Sequence, residues 1–215
     1  MLNAKPVKLI AFLVIAALML ILPLALQATG SNSWVRIVDV ALLYVLLALG
    51  LNIVVGYAGL LDLGFIAFFA VGAYLYGLLA SPHLTDTFAW LAATFPNGLH
   101  MNFWIVMVVA GIVAGVTGLF LGFPVLKLRG DYLAIVTLGF GEIVRIFMLN
   151  LDRPINITNG PKGLTNVDAV SVFGHRMSQS LSIDIGGFSY TFQSVTLYYY
   201  LILFFVVLAI VIAYR

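Results

Sequence analysis

The chain has 215 residues, 63% of them hydrophobic and 8% charged, with a mean hydropathy of +1.15 and a formal net charge of +2. A soluble domain is about 45–50% apolar and about 25% charged, so a water-soluble globule of this composition would expose apolar patches large enough to aggregate. A soluble enzyme and a disordered tail are thereby excluded, and ten Lys/Arg against eight Asp/Glu leave no basic footprint for nucleic acid.

A membrane span takes about 20 mostly apolar residues. Six stretches qualify: 9–28, 38–55, 63–80, 103–123, 132–149 and 195–214. Backbone groups in lipid must be satisfied within the segment, and these runs lack the alternation of barrel strands. The expected fold is an all-α polytopic membrane protein with about six transmembrane helices in contact with lipid. The first run follows Lys5 and Lys8, as a signal peptide would, but it exceeds the usual apolar core of about 7–15 residues. An uncleaved first helix is therefore expected. An N-terminus in the cytoplasm gathers Lys5, Lys8, Lys127, Arg129 and Arg215 inside and leaves only Arg36 in the short outer loops. Residues 150–194 then lie outside; they carry Arg153, Lys162 and Arg176, but long loops weigh less in this rule.

Between the second and third spans, the stretch from Asn52 to Gly64 is punctuated by Gly56, Gly59 and Gly64, each able to take φ > 0. Two readings are open. Residues 56–62 form either a re-entrant break lining a wet cavity, as in transporters, or a tight turn in which Asp62 caps the next helix. The third span carries the small residues Ala70, Ala73, Gly77 and Ala80. In the fourth, Gly111, Gly115, Gly118 and Gly122 share one helix face, which predicts close packing of a neighbouring helix against it.

Glu142 and Arg145 lie inside the fifth span at i, i+3, hence on one face. Charges in a span pair or face a watery interior, so the two are expected to meet, as a structural pair or on a translocation path with Asn52 and Asp62. In residues 150–194, Leu181–Ile185 and Phe188–Phe192 alternate around Gly186-Gly187, a β-hairpin pattern that needs a surface to lean on. That surface is either the bundle itself or a docked partner. The last run stays apolar up to Arg215, so the sequence is expected to be cut at the membrane surface.

There is no Cys, and His83, His100 and His175 share no ligand spacing, so no metal site is expected. No GxxxxGK[ST] occurs, and neither a Ser/His/Asp nor a paired-carboxylate constellation is present. No cofactor and no catalytic residue are expected in this chain, and it cannot hydrolyse a nucleotide alone.

The runs NIVVGYAGLLDLGFIAFFAVGAYL, from Asn52, and LRGDYLAIVTLGFGEIVRIFMLN, from Leu128, with TNGPKGL from Thr158, closely resemble the LivM-type permease subunits of bacterial branched-chain amino acid ABC importers. The resemblance covers nearly the whole chain and is weakest over 171–193. It implies a transport subunit and no enzyme, a bacterial inner-membrane location, and alternating access driven by ATP. It also implies four partner chains: a second, LivH-like permease subunit, two cytoplasmic ATPase subunits and a periplasmic substrate-binding protein. Residues 1–215 would form one transmembrane permease domain, truncated at its C-terminus, with 150–194 as an extracytoplasmic loop. Leucine, isoleucine and valine are the implied substrates. Urea or a short amide is the alternative within this group; a self-sufficient channel or secondary carrier is the alternative outside it.

Overall fold

The computed structural model describes residues 4–28, 30, 32–59, 61–125, 128, 130–172, 174–185 and 188–213. The charges counted at Lys127, Arg129 and Arg215 and the Gly186-Gly187 turn lie outside the described residues. Apolar runs that must satisfy their own backbone become helices: α1 (Ala4–Ala28), α2 (Asn32–Ala58), α3 (Ile66–Leu79), the short α4 (His83–Thr87) and α5 (Ala89–Thr94), α6 (Phe103–Val125), α7 (Gly130–Asn150) and α8 (Ser194–Ala213). Between α7 and α8 come the two-residue strands β1 (Ser171–Val172) and β2 (His175–Arg176), then β3 (Leu181–Ile185) and β4 (Phe188–Phe192). By length and composition, α2, α6, α7 and α8 can each cross a membrane, and Val14–Ala28 and Leu63–Leu79 are shorter apolar helical stretches. The six expected spans are thus all helical. The chain forms two compact units, Met1–Gly50 with Met177–Arg215, and Leu51–Arg176.

In the first unit, Val35 and Leu42 of α2 are buried against Tyr199 and Val206 of α8, with Leu26 of α1 packed alongside. One contact there has a covalent cause. Pro23 sits inside α1 and is buried. It has no N–H, so the carbonyl of Met19, four residues earlier, loses its helical donor. The buried Tyr199 hydroxyl donates to that Met19 oxygen at 2.7 Å, and Tyr200 donates to the next carbonyl, that of Leu20, at 2.9 Å. The β3–β4 hairpin pairs antiparallel from Leu181↔Phe192 to Ile185↔Phe188, in the register the alternation predicts. It leans on its own chain: Gln27 of α1 donates to the Thr191 carbonyl at 2.9 Å and accepts from Thr196 of α8 at 3.1 Å.

In the second unit, α3 lies between α6 and α7. Tyr76 meets Phe103 edge-on at 5.7 Å, and Phe68 approaches Gly118, so α3 and α6 run antiparallel. The four-glycine face of α6 meets α3 at one position. A side chain at Gly118 would touch Phe68, but Gly111, Gly115 and Gly122 meet nothing within 4 Å among the described residues. Spacing fixes a common face; it does not fix where a neighbouring helix crosses it, and α3 meets this face at Gly118. Likewise Gly77 of α3 serves a loop: a Cβ there would come within 2.6 Å of Leu164.

If the Tyr199 hydroxyl replaces the donor that Pro23 lacks, Tyr199→Phe strands a carbonyl and costs about 1–2 kcal/mol of stability. The same substitution in a Pro23→Ala background costs less, because alanine restores the missing N–H to the helical ladder. Unfolding titrations of the purified permease carrying each variant and the pair give the coupling; equal losses in both backgrounds would contradict it.

Candidate functional site

Between α2 and α3, the N–H groups of Gly59, Leu63 and Gly64 each have a partner. Gly59, at φ +65°, donates to the Val55 carbonyl at 2.9 Å and closes α2. Asp62 is extended and accepts from the Gly64 N–H at 2.8 Å, capping a 3-10 turn over Leu63–Phe65 that leads into α3. The Leu63 N–H donates to the Thr137 hydroxyl of α7 at 3.0 Å, and that hydroxyl donates to the Ala134 carbonyl at 3.1 Å. Gly64 has no room for a side chain: a Cβ would run into the Thr137 carbonyl. Across from it, a Cβ on Gly141 would stand 3.5 Å from the Gly64 Cα.

Each of the three glycines thus has its own role. Gly59 supplies the left-handed conformation, Gly64 the close approach, and Gly56 stays inside α2 with open space around it. Thr137 stands seven residues beyond Gly130, the first residue of α7, so α3 starts about 10 Å along the α7 axis at 1.5 Å per residue. The capped turn is what these contacts form: Asp62 caps a 3-10 turn whose following helix begins part-way along the length of α7.

From this contact a groove of about 740 Å³ opens between α3 and α7, with Leu63, Ile66, Phe69, Tyr74, Leu138 and Met148 among its lining. Glu142 and Arg145 also line it and are joined by two hydrogen bonds, Arg145 Nε to Glu142 Oε2 at 2.9 Å and a terminal guanidinium nitrogen to Oε1 at 2.6 Å. The i, i+3 spacing therefore does bring the two charges together. In this chain Arg145 and Glu142 are 61% and 52% exposed and stand on the groove wall. Asp62, which caps the turn before α3, and Asn52, exposed on α2, are not among the residues that line it.

Two features escape a reading of the sequence. Asp39, inside the α2 span, is buried, and its Oδ1 has no hydrogen-bond partner among the described residues; an acid in an apolar run is the signal that marks it. The second joins two loops. Asp168 donates its N–H to the Ala80 carbonyl at 2.7 Å and accepts at its own carbonyl from the Tyr76 hydroxyl at 2.9 Å. Its carboxylate faces His100 Nδ1, and His100 Nε2 faces the Asn97 carbonyl. Two acceptors on one imidazole are both satisfied only by the imidazolium. The Asp168 hydrogen bond, then that of Asn97, raises the His100 pKa above its ordinary 6.5, against small opposing effects of burial and Arg176. Nearby, His83 and Thr87 of α4 both reach the Asn156 carbonyl, at 3.1 and 3.0 Å.

Long helices whose outward faces are apolar define an integral membrane protein; Leu119, Phe120 and Phe123 of α6 are 69–78% exposed. A helix break beside a groove that carries charged side chains is the kind of element that membrane transporters use. Comparison with known proteins agrees: the model of the family "branched-chain amino acid transport system / permease component" matches residues 33–215, and the chain belongs to that family. It is 42% identical over 162 residues to the high-affinity branched-chain amino acid transport system permease protein LivM of Escherichia coli K12, and equally to that of Salmonella typhimurium LT2. The match covers 75% of this chain and 34% of each relative, so the chain spans about a third of the length of the curated relatives it matches. No solved structure matches it significantly.

The His100 contact has a pH signature. A raised folded-state pKa means that the contact is fully made below the ordinary 6.5 and lost as pH rises through the raised value. The His100 ring proton resonance should titrate with a midpoint above 6.5, and Asp168→Asn should return it toward 6.5. An unshifted midpoint in the native chain would refute the contact.

Proposed function

We propose that this chain forms part of the membrane-spanning permease subunit of an ATP-driven importer of branched-chain amino acids. The observation that carries this reading is the family match over residues 33–215. The names of the relatives, both high-affinity branched-chain amino acid permease proteins, support the substrate class. In this reading a periplasmic protein delivers leucine, isoleucine or valine, and a second permease subunit completes the path. Two cytoplasmic ATPase subunits hydrolyse ATP, since this chain offers no phosphate-binding loop of its own.

The mechanism is alternating access. The fixed contact of Gly64 with Thr137 lets the start of α3 and the middle of α7 move as one body, while the apolar groove beside them offers a surface to an aliphatic side chain. The membrane is the bacterial inner membrane. The short-loop positive charge supports an N-terminus in the cytoplasm and residues 150–194 outside.

The test is uptake of radiolabelled leucine and urea into vesicles holding the complete transporter. The reading predicts leucine uptake that requires both ATP and the binding protein, and an impermeant maleimide that labels Lys162→Cys from the periplasmic side. Uptake of urea alone would contradict the substrate, leucine uptake without ATP would contradict the coupling, and labelling from the cytoplasmic side alone would contradict the orientation.

A further inference from the structure

We propose that the groove between α3 and α7 binds a free zwitterionic α-amino acid, with its carboxylate on Arg145, its ammonium on Glu142 and its aliphatic side chain along Ile66, Phe69 and Leu138. The inference rests on the importer reading and adds to it the residues that select the substrate. One positive and one negative side chain stand on the same wall, 2.6 Å apart at their nearest atoms. An α-amino acid carries the same two charges on a single carbon, so it can take the place of each partner at once. Both side chains are more than half exposed. The pair opens by side-chain rotation into the groove, and a ligand that brings both charges replaces what the opening removes. The planar guanidinium of Arg145 fits a carboxylate with two parallel hydrogen bonds, and the freed Glu142 accepts from the ammonium.

The rest of the groove suits the remainder of the ligand. Its walls are mostly apolar, and about 740 Å³ lies within the usual range of about 300–1,000 Å³ for a small-molecule site. Gly139 and Gly141 lie on the wall next to the charges, and a side chain at Gly139 would enter open space. Selectivity follows from charge matching. A carboxylic acid leaves Glu142 unmatched, an amine leaves Arg145 unmatched, and uncharged urea or an amide would have to break the ion pair without replacing either partner.

The experiment uses the complete transporter with Leu138→Cys in a background freed of other cysteines, and follows the rate of maleimide labelling. Leucine should slow labelling severalfold, whereas 4-methylpentanoate, isopentylamine and urea should not. Arg145→Gln should abolish the protection, and so should the charge-neutral pair Glu142→Gln with Arg145→Gln, which removes both charges together and keeps the protein abundant. Protection by leucine that survives Arg145→Gln would overturn the proposal. A thiol that stays unreactive without any ligand would overturn it too, because another protein segment would then fill the groove. ATP-driven leucine uptake measured on the complete transporter with its native groove separates the two readings. Uptake without protection refutes this site alone; no leucine uptake refutes the importer reading on which it rests.

Discussion

In hydrocarbon every backbone N–H and C=O must find its partner within the protein, and the rest of this structure depends on how two interrupted helices meet that demand. Pro23 removes a donor from α1, and the Tyr199 hydroxyl of α8 takes its place at the Met19 carbonyl. Residues 59–62 interrupt the run from α2 to α3. There the N–H groups of Gly59, Leu63 and Gly64 go to the Val55 carbonyl, the Thr137 hydroxyl and the Asp62 carboxylate. In both places a backbone need dictates which helices touch. The side chains that meet it, a tyrosine and a threonine, fix α8 to α1 and α7 to the start of α3.

The second interruption leads toward function. Because the Thr137 hydroxyl holds the Leu63 N–H and Gly64 leaves no gap beside the Thr137 carbonyl, α3 starts part-way along α7. The groove beside that point has Glu142 and Arg145 in its lining. The amino-acid site proposed above takes its apolar wall from this groove and its two charges from that ion pair.

Much of this fold is legible in the sequence, and physics separates what is legible from what is not. The expected span at 103–123 corresponds to Phe103–Val125, and 132–149 to Gly130–Asn150, because sustained apolarity is a long-window signal. The β3–β4 hairpin is readable because alternation with a period of two is local. The α4 and α5 helices, of five and six residues, are too short to show a period, and β1 and β2 have two residues each.

The candidate site divides along the same line. Glu142 meets Arg145 within one helical turn, so spacing alone brings them together. Their exposure depends on where α3 lies, which no local pattern encodes. Tyr199 is 180 residues from Met19, and His100 is 68 from Asp168, so neither contact can be read from either residue's surroundings in the sequence. The glycine face of α6 follows the same rule: small residues permit a close approach without choosing the helix that makes it.

The central claim, that α3 starts against the middle of α7, is tested most directly by cross-linking in the complete permease. A Cβ on Gly141 would stand 4.0 Å from the Ile66 Cγ2 methyl, so Ile66→Cys combined with Gly141→Cys should form a disulfide under mild oxidation. Met148 is about 10 Å farther along α7 at 1.5 Å per residue, and Ile66→Cys with Met148→Cys should not. The reverse pattern, or no cross-link in the first pair while both thiols react with maleimide, would contradict the account.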